Sequence, residues 1–263
     1  MRKAWKRNRE TTLPPSLPLE SLEGLGGADH CPPPLFSMDT ARIAALLEPF
    51  LEQSLESSQL DQISIYIDLL KRWNARINLT AIRKEEEIVP RHFGESFFLA
   101  HHLFPEGESI QALEGAPSKL RLGGHVHVLD IGSGAGFPAL PLKIWAPNIH
   151  LTLIESNQKK AAFLREVARA LTLTNIDVIT DRAETLAARP DFSRADVVTL
   201  RAVERFDTIL PQAVAFLALH ASLALLIGAA QIPQLTALTT LKWHSPIPVP
   251  QSHERVLSIG VRC

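Results

Sequence analysis

The chain changes its hydrophobic pattern once, from helical spacing in its first part to alternating strands and helices in its second. Between residues 39 and 103, apolar side chains recur every three or four positions, which predicts three amphipathic helices. Asp39 is a suitable N-cap for the first helix. The three apolar stripes are Ile43, Leu46, Leu47, Phe50 and Leu51; Leu60, Ile63, Ile67, Leu70 and Trp73; and Ile88, Phe93, Phe97, Ala100 and Leu103, the last within a helix at 85–103.

Beyond residue 125, short apolar runs alternate with helical stripes. We expect strands at 126–131, 151–155, 175–180, 195–200 and 221–228, helices at 138–145, 158–171 and 203–219, and two weaker strands at 242–249 and 255–261. Successive βα units form a parallel, doubly wound sheet. The predicted fold class is therefore α/β and Rossmann-like, with a mostly parallel seven-stranded sheet and an N-terminal helical extension.

Segments rich in proline and glycine separate these regions. Residues 1–37 have a composition that does not support a packed element, and residues 106–124 are typical of a linker. The predicted organisation is a disordered tail at 1–37, a helical region at 38–105, a linker at 106–124 and an α/β domain at 125–263.

The first predicted strand runs directly into a turn with glycine at alternate positions, Gly132, Gly134 and Gly136. The spacing differs from the G-x-G-x-x-G of dinucleotide sites, because Phe137 stands where the last glycine would fall. Such a turn lets a ligand approach backbone N–H groups at the start of a helix. The alternative is that the glycines only form a tight connection between strand and helix.

Two successive predicted strands end on a carboxylate, Asp130 in the first and Glu155 after the second. A carboxylate at the end of a buried strand is costly unless it has a partner. Glu155 occupies the position from which an acid binds ribose hydroxyls. Since the carboxyl ends of parallel strands share one edge of the sheet, we expect Gly132, Glu155, residues 181–184 and Arg201 to line one crevice.

Composition limits which partners and which cellular compartment we expect for this protein. The net charge is −1, so a nucleic-acid-binding surface would have to be local. Two cysteines, Cys31 and Cys263, do not make a disulfide framework, and no apolar run approaches the ~18 residues of a membrane span. The histidines show no metal-ligand spacing. We expect a cytoplasmic protein without a metal ion or a membrane contact.

Several short motifs occur together and in order. They are Asn-Leu-Thr-Ala-Ile at 78–82, Arg91-His92 with Glu95-Ser96, Gly-Ser-Gly-Ala-Gly-Phe-Pro at 132–138, Arg-Ala-Glu at 182–184 and Arg-Ala at 201–202. This combination resembles the bacterial ribosomal small-subunit methyltransferase G family, also called glucose-inhibited division protein B, within the class I S-adenosylmethionine-dependent methyltransferases. The resemblance implies methyl transfer from S-adenosylmethionine to N7 of one guanine in the decoding-region loop of 16S rRNA. We expect a monomer with no obligate protein partner.

The resemblance also implies which residues contact the cofactor. They are Gly132, Gly134, Gly136, Phe137, Ala183, Glu184 and Arg201, with Glu155 toward the ribose. Asp181 competes with Glu184 for the adenine amino group, and the Phe137 ring either stacks on a ligand or belongs to the core. The chain departs from the family pattern at Glu95, where aspartate is usual, at Ala139, where a second glycine is usual, and at Ile227, where lysine is common.

Arg201 and His92 are the candidates for a catalytic role. Arg201 ends a buried strand, so it either forms an ion pair with Glu155 or Asp130 or contacts the methionine carboxylate or the target base. His92 is either a hydrogen-bonded core histidine or part of a polar cluster at the mouth of the crevice. Guanine N7 carries a lone pair and no proton, so attack on the methyl group needs alignment rather than a general base.

Basic residues near the end of the second helix form a candidate RNA-binding patch around Trp73. They are Lys71, Arg72, Arg76, Arg83, Lys84 and Arg91, with Lys143, Lys159, Lys160 and Arg165 as further candidates. RNA binding needs positive charge and a surface for stacking. Glu85, Glu86 and Glu87 dilute the patch.

Two alternative functions remain beside an rRNA methyltransferase. One is a methyltransferase that acts on a small molecule or a protein, and the other is a non-catalytic S-adenosylmethionine-binding module.

Overall fold

The computed structural model describes residues 38–105, 126–201, 206–235 and 237–263. The predicted disordered tail at 1–37 and the predicted linker at 106–124 lie outside the described residues, so both stay predictions. Within the described residues, no helix is long and apolar enough to cross a membrane.

The central feature of the fold is one sheet of eight strands, parallel at its centre and antiparallel at one side. Its strands are β1 (His127–Ile131), β2 (His150–Ile154), β3 (Ile176–Ile179), β4 (Ala195–Arg201), β5 (Leu217–Gly228), β6 (Leu241–Trp243), β7 (Ile247–Pro248) and β8 (Arg255–Arg262). The order is β3-β2-β1-β4-β5-β8-β6, with β7 also paired to β8. Strands β1 to β5 are parallel, and β8 is antiparallel to β5, β6 and β7. The Rossmann-like α/β fold is confirmed.

The helices lie before the sheet and between its strands. They are α1 (Thr40–Leu47), α2 (Ser57–Ile77), α3 (Glu85–Ile88), α4 (Glu95–Leu103), α5 (Ala139–Trp145), α6 (Gln158–Ala170), α7 (Ala183–Ala187), α8 (Phe206–Ala215) and α9 (Ile232–Leu235), with short 3₁₀ turns at Glu48–Phe50 and Ala229–Gln231. Asp39 caps α1 by accepting from the Ala41 N–H, as predicted. Asn78 ends α2 in the left-handed conformation, with φ 47°.

The core has two parts, one on each face of the sheet. Alternate residues of β1 point to opposite faces, so that Val128 packs with helices α1–α4 while Leu129 packs with α7 and α8. The helices before the sheet therefore share their hydrophobic core with it. This burial places the π-helical turn Val89–Gly94, between α3 and α4, next to the 3₁₀ turn that ends on Phe50.

Three predicted elements differ from the structure. The helix at 85–103 is interrupted by the turn Val89–Gly94, which contains Pro90 and lacks regular α-helical bonding. The helix expected at 203–219 is wrong at its end, because residues 217–219 already belong to β5, where Leu217 pairs with Ala195. The strand expected at 242–249 divides into β6 and β7 around Ser245 and Pro246, which gives eight strands instead of seven.

Gly94 offers a test of how tightly these helices pack. Its backbone is helical, with φ −56° and ψ −52°, so alanine fits the conformation and would ordinarily stabilise a helix by about 0.5–1 kcal/mol. A Cβ at this position, however, would lie 2.7 Å from the Phe50 ring. We expect Gly94→Ala to lower the free energy of unfolding by about 1–3 kcal/mol, measured by urea denaturation. In a Phe50→Ala background the same substitution should cost much less; an equal cost in both backgrounds would contradict this packing.

Candidate functional site

The glycine turn after β1 is shaped by three residues with positive φ, and its two outer glycines serve different purposes. Gly132 has φ 69°, and a Cβ there would meet no atom within 4 Å, so the space beside it is open. Gly136 has φ 87°, and a Cβ there would lie 2.3 Å from the Tyr66 hydroxyl oxygen. Gly136 is therefore required for packing, whereas Gly132 borders the crevice.

The backbone N–H groups of the turn are already used within the protein. Gly132 and Ser133 both donate to the Ile154 carbonyl at 2.9 and 3.1 Å, and Gly136 donates to Ser133 at 2.7 Å. Gly134 donates to Glu155 Oε2 at 2.8 Å. These four N–H groups thus have acceptors within the protein, and the approach of a ligand to backbone N–H groups of this turn stays a prediction. What the turn provides is open space beside a rigid backbone.

Glu155 is buried and joins the end of β2 to the turn. Its Oε1 accepts from the Asn157 N–H at 2.8 Å, while Oε2 accepts from Gly134. Each carboxylate oxygen has two lone pairs, so each retains one acceptor site. The carboxylate is thus held in one orientation and can still accept from two hydroxyl groups.

Asp130 contributes a buried carboxylate at the same edge. Its Oδ1 accepts from the Thr199 hydroxyl at 2.6 Å, whereas Oδ2 is buried without a partner among the described residues. Burial raises the pKa of Asp130 to about 7, against the opposing effect of the hydrogen bond from Thr199. A cation placed beside Oδ2 would favour the charged form.

Arg201 ends β4 at this edge, but its ion-pair partner differs from both predicted ones. Its Nη2 contacts Glu95 Oε2 at 3.0 Å and also donates to the Arg91 carbonyl. The predicted pair with Glu155 or Asp130 is wrong, because helix α4 brings Glu95 over the end of β4. The Arg201 Nε is buried without a partner among the described residues, and burial lowers the pKa of Arg201 to about 10, so the guanidinium stays charged.

His92 is enclosed on all sides. Its Nδ1 lies 3.3 Å from Arg201 Nη2 and its Nε2 lies 2.8 Å from the Thr80 hydroxyl. Since the guanidinium can only donate, Nδ1 accepts and Nε2 carries the proton. Burial and the neighbouring arginines lower the pKa of His92 to about 3, so the ring is neutral at pH 7. With both nitrogens engaged, the geometry favours a hydrogen-bonded core histidine over an acid–base residue.

The Phe137 ring is buried and contacts three other rings of the protein. It stacks on Tyr66, with ring centroids 5.2 Å apart, and on His92 at 4.8 Å. Phe93 contacts its edge. The core alternative therefore applies to this ring, and a cofactor contact from Phe137 would have to use its edge or its backbone.

The remaining predicted cofactor residues lie after β3. Ala183 is buried and Glu184 is exposed, both at the start of α7. Asp181 already accepts from the Arg182 N–H at 2.7 Å and pairs with Arg189 at 3.4 Å. Asp181 is thus engaged within the protein, whereas Glu184 is exposed, and the choice between them for an adenine amino group stays a prediction.

The predicted RNA-binding patch carries less free charge than its sequence indicates. Lys71 pairs with Glu85, and Lys84 lies 3.8 Å from Glu87. Trp73 packs against Phe163, with ring centroids 5.7 Å apart. Lys143 is buried and donates to the carbonyls of Pro147 and Ile149, so it is wrong as a candidate for RNA contact.

Sequence reasoning missed the residues that fix the site from a distance. Tyr66 donates to the Ala135 carbonyl at 2.5 Å, and Arg255 contacts Glu95 Oε2 at 2.6 Å. The sequence marks Glu95 as part of a motif with Arg91 and His92, whereas nothing local marks Tyr66 or Arg255. Among the residues that the structure describes, no group of three His, Cys, Asp or Glu could hold a metal ion.

Comparison with known proteins gives one consistent family. The model of the family rRNA small subunit methyltransferase G matches residues 59–243. The ribosomal RNA small subunit methyltransferase G of Roseiflexus castenholzii is 43% identical over 157 residues, covering 59% of each chain. The protein of that name from Bacillus subtilis is 37% identical over 158 residues, again 59% of each chain. The match thus spans about 59% of the length of these relatives. A ribosomal protein L11 methylase structure from Lactobacillus delbrueckii subsp. bulgaricus aligns with 65% of this chain and 80% of its own, with 15% identity and a TM-score of 0.48.

The raised pKa of Asp130 predicts a pH dependence of stability in the ligand-free protein. The neutral form of the Asp130 carboxyl is favoured in the folded state. Its contribution to the free energy of unfolding is therefore fully present below pH 3.8 and is lost as the pH rises toward about 7. Asp130→Asn keeps the acceptor for Thr199 and removes the titration. We expect the stability of Asp130→Asn relative to the parent to rise between pH 4 and 7, by at most about 1.4 kcal/mol per pH unit. Urea denaturation at four pH values measures this, and a constant difference would contradict it.

Proposed function

The chain belongs to the rRNA small subunit methyltransferase G family, and from this premise we propose that it transfers a methyl group from S-adenosylmethionine to N7 of one guanine in the decoding-region loop of 16S rRNA. The observation that carries the proposal is the edge of the sheet beside Gly132. The space beside Gly132 is open, and the strands that end at the same edge carry two buried polar atoms without a partner among the described residues, Asp130 Oδ2 and Arg201 Nε. The proposal includes a cytoplasmic enzyme that acts as a monomer without an obligate protein partner.

The residues at this edge fit the chemical groups of S-adenosylmethionine. When bound, the cofactor supplies an electrophilic methyl group on a sulfonium. Asp130 Oδ2 can accept from its ammonium group and Arg201 Nε can donate to its carboxylate, so that each would gain the partner it lacks. Glu155 would accept from the ribose hydroxyls and Glu184 from the adenine amino group.

The proposed chemistry asks the protein for alignment and not for a proton acceptor. Guanine N7 attacks through a lone pair, so the reaction requires the two reacting atoms ~3–3.5 Å apart and in line. His92 has both nitrogens engaged, which fits a reaction without a general base. The contribution of His92 and Glu95 would be to hold Arg201, and that of the glycine turn to exclude water from the cofactor.

A methyltransferase for a small molecule or a protein is the second candidate. The observation that favours it is the pairing of Lys71 with Glu85 and the burial of Lys143, which leave less positive charge for RNA around Trp73. The substrate class therefore has to be tested directly.

A methyl-transfer assay separates these functions. The purified chain and tritiated S-adenosylmethionine are incubated with 30S subunits, with naked 16S rRNA and with a ribosome-free lysate, all from a strain that lacks this gene. We expect label on a single guanine of 16S rRNA, identified as the N7-methyl base by mass mapping. Label confined to proteins or small molecules would support the second candidate, and uptake of cofactor without transfer would overturn both.

The open space beside Gly132 predicts a selective loss of cofactor binding. Gly132→Ala adds a methyl group to that space, at about 1–2 kcal/mol of backbone strain. We expect affinity for S-adenosylhomocysteine to fall about tenfold or more in calorimetry, since the methyl group would meet the ligand.

Asn175→Ala is the matched control. Asn175 has φ 55° and lies just before β3, at the amino ends of the parallel strands. The substitution Asn175→Ala therefore introduces similar backbone strain far from the crevice at the carboxyl ends. The control should bind S-adenosylhomocysteine as the parent does. Unchanged binding by Gly132→Ala would show that the ligand does not occupy this space.

A further inference from the structure

Three arginines from three different elements converge on one buried carboxylate, that of Glu95. Arg255 Nη1 lies 2.6 Å and Arg201 Nη2 3.0 Å from Glu95 Oε2, and Arg91 Nε lies 3.6 Å from Oε1. Arg91 belongs to the π-helical turn before α4, Arg201 ends β4 and Arg255 begins β8. One carboxylate cannot neutralise three guanidinium groups, so positive charge remains in this cluster.

The three arginines differ in how far they reach toward solvent. The side chain of Arg201 is 8% exposed, that of Arg255 19% and that of Arg91 45%. Among the described residues, the Arg255 side chain has one hydrogen bond, from Nη1 to Glu95, so most of its five N–H groups remain available. Arg201 thus belongs to the interior of the site, while Arg91 and Arg255 face outward.

Arg91 and Arg255 lie on the wall of a surface cleft of about 480 Å³. The other lining residues are Gly228, Gln251, Ser252, His253 and Glu254. Gly228 ends β5, so the cleft opens at the same edge of the sheet as the glycine turn. Most of these lining residues belong to the loop between β7 and β8. This loop is fixed to β8, because the Arg255 N–H donates to the Ser252 hydroxyl at 3.2 Å and the Val249 N–H donates to the Arg255 carbonyl at 3.0 Å.

The cleft and its buried cluster carry a surplus of positive charge. Three arginines, Arg91, Arg201 and Arg255, lie with two carboxylates, Glu95 and Glu254, which leaves one positive charge in surplus among these five residues. One phosphodiester carries one negative charge, and guanidinium groups match its geometry through paired N–H donors.

We propose that this cleft binds a backbone phosphate of the RNA substrate, held between the guanidinium groups of Arg91 and Arg255. The inference rests on the proposed function, because it assumes an RNA substrate at this edge of the sheet. Phosphate contacts fix the position of a nucleic acid without reading its sequence. A phosphate held here would place the adjoining nucleotide at the edge of the sheet where β4 ends on Arg201.

The salt dependence of RNA binding tests the cleft. Binding of the full chain to naked 16S rRNA is measured by filter binding between 50 and 200 mM salt for Arg91→Gln, Arg255→Gln and the double variant. Loss of one phosphate contact lowers the slope of log Kobs against log salt by about 0.7. We expect that reduction in the double variant, with about tenfold weaker binding. Because both arginines contact the same phosphate, the loss should be less than the sum of the single losses.

Arg262→Gln is the matched control, since it removes an arginine from the other end of the same strand. Arg262 donates to the Val214 and Leu217 carbonyls, at the opposite edge of the sheet. It should leave the slope as in the parent. A parental slope in the double variant overturns the proposal, and so does an equal loss in Arg262→Gln. Arg91→Gln keeps the test valid if Arg255→Gln unfolds, because Arg91 is the more exposed of the two.

The same preparations are assayed for S-adenosylhomocysteine binding and for methyl transfer. These two assays test the proposed function independently of the salt dependence. A parent chain that transfers no methyl group to rRNA contradicts the proposed function whatever the slopes are. A parent that methylates 16S rRNA with slopes that do not change in the double variant contradicts only the phosphate site.

Discussion

The Phe137 ring stacks on the rings of Tyr66 and His92, and this aromatic stack ties the glycine turn to the helices that precede the sheet. Burying a phenylalanine side chain contributes about 1.5–3 kcal/mol, and each aromatic contact adds about 0.5–1.5 kcal/mol. Tyr66 also donates to the carbonyl of Ala135 within the turn. Helix α2 therefore fixes the shape of a turn that is 69 residues away in sequence. The helical extension forms part of the site itself.

His92 connects this aromatic stack to the charged cluster. Its ring contacts Phe137 on one side, and its Nδ1 accepts from Arg201. A protonated ring would add another positive charge to a region where three arginines surround Glu95, and burial opposes protonation as well. The low pKa of His92 is thus a consequence first of burial and then of the arginine cluster, and the neutral ring is what allows Nδ1 to accept. A shift of the stack would move Arg201, so packing and electrostatics act here as one network.

Elements with local signals could be predicted from the sequence. The N-cap at Asp39, the strand–turn–helix unit around Gly132 and the order of the βα units all depend on neighbouring residues. The start of β5 could not be predicted, because the apolar run before residue 221 suits a helix or a strand, and only the pairing of Leu217 with Ala195 decides between them.

The candidate site also has a part that could be predicted from the sequence and a part that could not. Strand ends place Gly132, Glu155 and Arg201 at one edge, which follows from topology alone. The partner of Arg201 does not follow, because Glu95 lies 106 residues earlier on a helix whose position depends on tertiary packing. The dilution of the patch around Trp73 by Glu85 follows from the sequence, but the pairing of Glu85 with Lys71 does not, since the two residues meet only once α2 and α3 are packed.

Two buried polar atoms at this edge, Asp130 Oδ2 and Arg201 Nε, stand without a partner among the described residues. A buried polar group left unpaired costs about 1–3 kcal/mol, so the edge is less stable than a fully bonded one would be. The backbone beside them is different, because the N–H groups of Gly132 and Gly134 are bonded within the protein. The open positions therefore belong to one carboxyl and one guanidinium side chain on a rigid backbone. Under the proposed function, the ammonium and carboxylate groups of S-adenosylmethionine would meet these two side chains beside β1 and β4, and the remaining acceptor sites of Glu155 would serve the sugar.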